Sequence, residues 1–230
     1  MRNSIPHFVS GLLVILSSSA RAQVGHAPSN SPYFDLQHSQ ELTLIGGQYH
    51  AQRDPANVGP QSGLLVGAHY EYRASGPLYI TGELARISSE RRVINPFRVG
   101  DARDLGNKSQ PLYSADVGLG LGLTGGKSWH HIVPEVTAGV GLVTDFRRQA
   151  DTGGFKFGTR FALNFGAGIR VVPGGRWQIR FDVKDRMYTL GYPEAFYVTP
   201  AGGTEVVSPT QPKSFWLNNP AFTLGLSRLF

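Results

Sequence analysis

Residues 113–124 read Tyr-Ser-Ala-Asp-Val-Gly-Leu-Gly-Leu-Gly-Leu-Thr. Successive side chains of an extended chain point to opposite faces. Tyr113, Ala115, Val117, Leu119, Leu121 and Leu123 therefore share one face, and Ser114, Asp116, Gly118, Gly120, Gly122 and Thr124 the other. The first face is apolar, the second small or polar. Had the second face met water it would be dense in Lys, Glu and Asp. Glycines suit the crowded interior of a narrow closed sheet, so the apolar face is assigned to lipid and the small face to a lumen.

The same period of two recurs along the chain. In 64–73, Leu64, Val66, Ala68, Tyr70 and Tyr72 oppose Leu65, Gly67, His69, Glu71 and Arg73. Ile132, Val136, Ala138, Val140, Leu142 and Phe146 oppose Glu135, Thr137, Gly139, Gly141 and Asp145. From Phe155 and Phe157 through Phe161, Leu163, Phe165, Ala167 and Ile169 to Val171, an apolar set faces Lys156, Gly158, Arg160, Asn164, Gly168 and Arg170. Trp177, Ile179, Phe181 and Val183 oppose Gln178, Arg180, Asp182 and Lys184. Strands near 78–88 and 220–230 alternate less regularly, and the one near 41–51 has an ambiguous register. That makes eight strands of about ten residues or more, the length a tilted membrane-spanning strand needs.

Connections alternate by parity. Short turns stand at Ala74-Ser75-Gly76-Pro77, around Gly125-Gly126-Lys127 and at Pro173-Gly174-Gly175-Arg176. Longer segments run near 52–61, 88–111, 147–154 and 187–218. A membrane barrel has short turns on its periplasmic rim and long loops outside, whereas a soluble sandwich has no cause to sort them. With an even strand number both termini return to the periplasmic side. The expected fold is all-β, an eight-stranded antiparallel up-and-down transmembrane β-barrel.

Composition agrees. Of 230 residues only 17% are charged, 29 are Gly and none is Cys, against roughly 25% charged in an ordinary soluble domain. No apolar run reaches the eighteen or so residues of a spanning helix. Residues 1–22 read as a signal peptide: Arg2, an apolar stretch from Phe8 to Leu16, then Ala20-Arg21-Ala22. Cleavage there removes two cations and no acid, lowering the formal charge from +6 to +4. Residues 23–40 are a polar periplasmic segment, a tether or short plug, and 41–230 form the barrel.

The chain ends Phe222-Thr-Leu224-Gly-Leu226-Ser-Arg228-Leu-Phe230. This resembles the C-terminal signal of bacterial outer-membrane barrels, with Phe222, Leu224, Leu226 and Phe230 as its assembly residues; Arg228 departs from the pattern. Phe181-Asp-Val-Lys-Asp185 is similar to an acidic and basic run on the penultimate strand of such proteins. The whole mature chain resembles the small OmpA/OmpX-type outer membrane β-barrel domains. The resemblance implies a Gram-negative-type outer membrane, insertion by the barrel-assembly machinery and no cofactor. It implies no single activity, because stabilising, adhesive, transport and lipid-modifying members exist.

Lumen charges divide along the sequence. The acids Glu71, Glu83, Asp116 and Glu135 come early, and the bases Arg160, Arg170, Arg180, Lys184 and Arg186 late. They are expected to pair across a narrow interior and block an open channel. Tyr72, Trp129 and Trp177 toward the turns, and Tyr113, Phe146 and Phe155 toward the loops, fit two interfacial girdles. The 187–218 loop carries Tyr192, Phe196, Tyr197, Phe215 and Trp216, enough aromatic surface to fold over the rim.

Motifs for chemistry are weak. Gly120-x-Gly122-x-x-Gly125 and Gly126-Lys127-Ser128 lack the helix that a nucleotide site needs. His130 and His131 are adjacent and cannot chelate as a pair on one strand face. His69 beside Glu71 suits a hydrogen-bonded lumen histidine better than a catalytic one. Neither metal nor catalytic residues are assigned, and no nucleic-acid surface is expected. Arg91, Arg92, Arg98, Arg103, Arg147 and Arg148 lie in or near loops, where they could meet lipopolysaccharide phosphates.

The leading expectation is a monomeric, non-enzymatic outer-membrane barrel that stabilises the envelope or interacts at the surface. The alternatives are a binding site or conduit for small, apolar molecules and, third, a lipid-modifying enzyme.

Overall fold

In the computed structural model, residues 31–230 are described. The signal peptide and the first part of the polar segment lie outside them. Thirteen strands occur in chain order: β1 (Tyr33–Asp35), β2 (Gln40–Tyr49), β3 (Gly63–Ser75), β4 (Leu78–Ser88), β5 (Glu90–Ile94), β6 (Asp104–Ser109), β7 (Leu112–Gly122), β8 (Lys127–Trp129), β9 (Ile132–Thr144), β10 (Thr159–Val171), β11 (Trp177–Gly191), β12 (Ser214–Leu217) and β13 (Pro220–Leu229). Eight of them close a ring, β2-β3-β4-β7-β9-β10-β11-β13 and back to β2, with every neighbour antiparallel. Closure leaves no barrel strand edge unpaired, which is the condition for a sheet to sit in hydrocarbon.

The outer surface is a belt of large apolar side chains. Leu44, Leu84, Val117, Leu119, Leu142, Phe161, Phe165, Phe181, Phe222, Leu224 and Leu226 are all exposed, Leu44 at 70%. A soluble monomer rarely exposes a contiguous apolar patch above roughly 300–600 Å², and a belt around a whole barrel far exceeds that. It matches lipid.

The register of β2, which the alternation left open, is settled by its neighbours. Glu41, Thr43, Ile45 and Tyr49 point inward and are buried, while Leu42 and Leu44 face out. Gly46-Gly47 had blurred the pattern. Pairing with β13 brings Phe222 O within 1.9 Å of where a Cβ on Gly47 would stand, so the strands approach too closely there for any side chain. Two lumen glycines make room for acids: a Cβ on Gly141 would lie 2.1 Å from Asp116 Oδ1, and one on Gly168 2.2 Å from Asp182 Oδ1. Each glycine stands opposite its aspartate in the strand register.

Two strand boundaries differ from expectation. β10 begins at Thr159, because Gly158 adopts φ +70° and breaks the extended run. Phe155 and Phe157 thus belong to the preceding loop and are buried, at 1% and 2% exposure, in the loop-end core. Phe155 is not part of an interfacial girdle. Tyr72, Trp129, Trp177 and Phe146 do lie exposed at the barrel rims. At the same loop end of the sheet the neighbouring β11 runs on to Gly191, so the last loop starts later than the sequence suggests.

Residues 33–39 form a strap across the turn-end mouth. β1 pairs with β8, which lies between β7 and β9 on the far side of the ring from β2. Leu36 N donates to Gly126 O (3.2 Å), and Arg73 Nη1 donates to Leu36 O (2.7 Å). Phe34 stacks on His131 at 4.5 Å between centroids. His130 and His131 both have positive φ, as turn residues.

Candidate functional site

The barrel interior is filled by a two-layered ion network. In the layer nearer the turns, Arg180 on β11 reaches four carboxylates. Its Nη1 donates to Glu71 (2.8 Å) and Glu41 (3.4 Å), its Nε to Asp182 (2.8 Å), and its Nη2 pairs with Glu135. Arg170 on β10 meets the same glutamates from the side, with Nη1 at 3.1 Å from Glu41 and 3.2 Å from Glu71, and Nε at 3.0 Å from Glu135. Its guanidinium also lies 4.5 Å from the Tyr79 ring centroid.

The second layer is nearer the loops. Glu83 on β4 takes Lys184 Nζ at 2.6 Å and also pairs with Arg186. Asp116 lies 3.4 Å from Arg186 Nε and accepts from Asn164 Nδ2 at 3.0 Å. His69 joins the layers: Nε2 is 2.9 Å from Glu71 and Nδ1 3.2 Å from Glu83. A carboxylate against each ring nitrogen is an arrangement only the doubly protonated imidazolium satisfies.

Glu71, Glu83, Asp116, Glu135, Arg170, Arg180 and Lys184 are therefore brought together across the lumen. Arg160 is not. Its guanidinium donates to Lys156 O at 3.3 Å and lies over Phe157, near the loop end and one layer above the acids. Glu41 and Asp182 belong to the network but stand outside the acid set drawn from the sequence. The blurred alternation of β2 hid the first. Asp182 shares the lumen face with Arg180 two residues before it, a local signal that was legible.

Above the ions the mouth is sealed by apolar packing. Tyr49 and Tyr188 join hydroxyls at 2.9 Å. Over them Leu65, Ile87, Leu112, Leu190, Phe155, Phe157 and Phe196 form one buried cluster. The last loop does bend over the mouth. Tyr192 stacks on Phe196 at 5.6 Å and contacts Phe215 at 5.5 Å. Its hydroxyl donates to Asp54 Oδ2 at 2.5 Å, and burial together with this carboxylate raises the phenol's pKa. Trp216 stays half exposed.

The loop arginines fall into two groups. Arg91 pairs with Asp151 at 2.5 Å and Arg92 with Asp104 at 2.7 Å. Arg103 donates to Arg98 O at 2.9 Å and to Thr204 O, tying the β5–β6 hairpin to the last loop. These cations hold the loops together. Arg147 and Arg148, by contrast, have no carboxylate partner among the described residues and line an open cleft with Lys108 and Lys156.

Asp104 gives a pH test of the hairpin. The Arg92 guanidinium and the Gly106 amide, which donates at 2.9 Å, hold its carboxyl below the usual carboxylate range. A depressed acid contributes stability that is present above its unfolded pKa and lost as pH falls through the folded one. Amide exchange in β5 and β6 is therefore expected to quicken as pH drops below about 4, after correction for intrinsic exchange. Exchange that does not respond, or that responds equally in Asp104→Asn, would show the pair to be idle.

No family model and no curated protein matches the sequence. Among solved structures, the chain is similar to the outer membrane protein OprG from Pseudomonas aeruginosa, with 13% identity and a TM-score of 0.51 over 84% of this chain and 97% of that one. It is similar to the Neisserial surface protein A, NspA, with 12% identity and a TM-score of 0.51 over 83% of this chain and 97% of that one. At such identity the likeness speaks for the fold. The closed ring, the apolar belt and these two structures together give the chain the fold of the small eight-stranded outer-membrane β-barrels.

Proposed function

We propose that this protein is a monomeric structural barrel of a Gram-negative-type outer membrane, with both termini periplasmic, stabilising the envelope and presenting its loops at the surface. The observation that carries the reading is the interior. The ion network fills the lumen, the loop core covers one mouth and the strap crosses the other. A solute passing through would have to break buried charge–charge contacts and displace Tyr192, Phe196 and Phe215, which argues against the conduit reading. An acyl-transfer role is not supported either, since both nitrogens of His69 face carboxylates and neither is free to activate a serine. Phe222, Leu224 and Leu226, exposed in a row on β13, and the exposed Phe230 that follows the strand are the surface we assign to the assembly machinery.

The test is electrical and cellular. Purified protein inserted in planar bilayers is expected to give no stepwise conductance, and cells lacking it to become more sensitive to detergent, restored by the wild-type gene. Regular conductance steps would replace this reading with transport. Unchanged detergent sensitivity would remove the stabilising role.

A further inference from the structure

The cleft beneath Arg147 lies between the β5–β6 hairpin and the β9–β10 connection, with a volume of about 460 Å³. Five cations line it, Arg91, Lys108, Arg147, Arg148 and Lys156, against the two carboxylates Asp145 and Asp151. Both acids are already engaged. Asp151 holds Arg91 (2.5 Å) and the amides of Gly153 and Phe155 (both 2.9 Å). Asp145 accepts from Gln110 Nε2 at 2.7 Å and from the Arg147 amide at 3.1 Å. Four cations are left without an ion-pair partner, Arg147 Nη2 donating instead to Ser109 O at 2.5 Å, and five cations against two carboxylates give the cleft a net charge of +3. Gln110, 1% exposed and lining the same cleft, spends its Nε2 on Asp145 and leaves its Oε1 without a partner.

The cleft's position restricts what fills it. Phe146, the residue before Arg147, is 71% exposed and packs its ring against Tyr113 at 5.1 Å, at the loop-end border of the apolar belt. Arg86, cross-strand from Tyr113, faces outward beside them. A molecule seated here meets cations above and apolar rings below. That is the profile of an anionic amphiphile.

We infer that this cleft binds the phosphate groups of a phosphorylated glycolipid in the surrounding leaflet, with Lys108, Arg147, Arg148 and Lys156 on the phosphates and Gln110 Oε1 available to a sugar hydroxyl. Guanidinium groups match phosphate with two parallel hydrogen bonds. The inference rests on the membrane reading above and gives the loop surface a ligand class. Placing the cations beside the belt also explains why they need no protein carboxylates: the leaflet supplies the anions.

The experiment uses full-length protein reconstituted in phosphatidylcholine nanodiscs. Insertion is checked first by the resistance of the folded barrel to unfolding in SDS. Bisphosphorylated lipid A, its dephosphorylated form and inorganic phosphate are then compared as ligands. The bisphosphorylated lipid is expected to be retained, and the paired charge reversals Arg147→Glu/Arg148→Glu and Lys108→Glu/Lys156→Glu each to weaken it by about tenfold or more, given that roughly 1.4 kcal/mol is a factor of ten. Arg53→Glu, in the β2–β3 loop outside the cleft, serves as control and is expected to change nothing. Equal retention of the dephosphorylated lipid, or by the charge-reversed variants, would overturn the assignment. Displacement by inorganic phosphate at equal concentration would overturn the lipid as source. A chain that does not insert would refute the membrane reading itself.

Discussion

Arg180→Met is expected to destabilise the barrel by about 3–5 kcal/mol, the range measured when one partner of a buried ion pair is removed. Arg180 is 1% exposed and touches Glu41, Glu71, Glu135 and Asp182. Without it only Arg170 and His69 are left facing these acids, and carboxylates in low dielectric without a counter-charge either pay desolvation or take up protons. Equilibrium urea unfolding in lipid vesicles, followed by tryptophan fluorescence, measures the loss. Lysine in its place restores charge but not the fork that serves several acids at once, so Arg180→Lys is expected to recover only part of it. Arg160→Met makes the contrast. Having no carboxylate partner, it is expected to cost about 1 kcal/mol or less, the worth of an ordinary hydrogen bond. Equal losses in the two variants would mean that burial alone, and not the network, sets the cost.

Phe196→Ala is expected to release the last loop while leaving the barrel closed. Phe196 is fully buried beneath Tyr192 and Phe155, and truncating a buried Phe costs about 3–5 kcal/mol. Much of that falls on a cap built from loop residues, which can open as a unit of its own. Proteolytic cleavage between residues 192 and 213 is expected to rise sharply. The SDS-resistant folded band should persist, because the ion layers lie below the cap. Loss of that band would show that cap and barrel unfold together, and unchanged proteolysis that the cap is held by Arg103 and Asp54 more than by its rings.

Particular residues show how far each level of description reaches. The lipid face was legible wherever alternation ran unbroken, as in Val117, Leu119 and Leu121 or Phe161 and Phe165, because period two is a local property of an extended chain. It failed where glycine intervened. Gly46-Gly47 hid the inward turn of Glu41, and the positive φ of Gly158 moved Phe155 and Phe157 from an expected lipid face into the mouth. In both places the outcome hangs on a neighbouring strand or loop that no local window contains.

The charges divide in the same way. That acids and bases share the lumen could be read from their faces, since a strand's parity places every second residue inside. Which acid meets which base could not, because partners such as Glu41 and Arg180 are separated along the chain and meet only when β13 closes on β2. The loop cations show it most sharply: in sequence Arg91, Arg92, Arg147 and Arg148 are equivalent basic residues. Folding gives the first two the carboxylates of Asp151 and Asp104 and leaves the other two facing an open cleft. By itself the sequence determined the strand count, the solvent each face was made for and the sorting of turns from loops, all of which follow from local periodicity and chain length. Only the tertiary structure decided the pairing of buried charges, the sealing of the mouth and which loop cations have no carboxylate partner, because electrostatic energy depends on distance through space and closing the ring sets those distances.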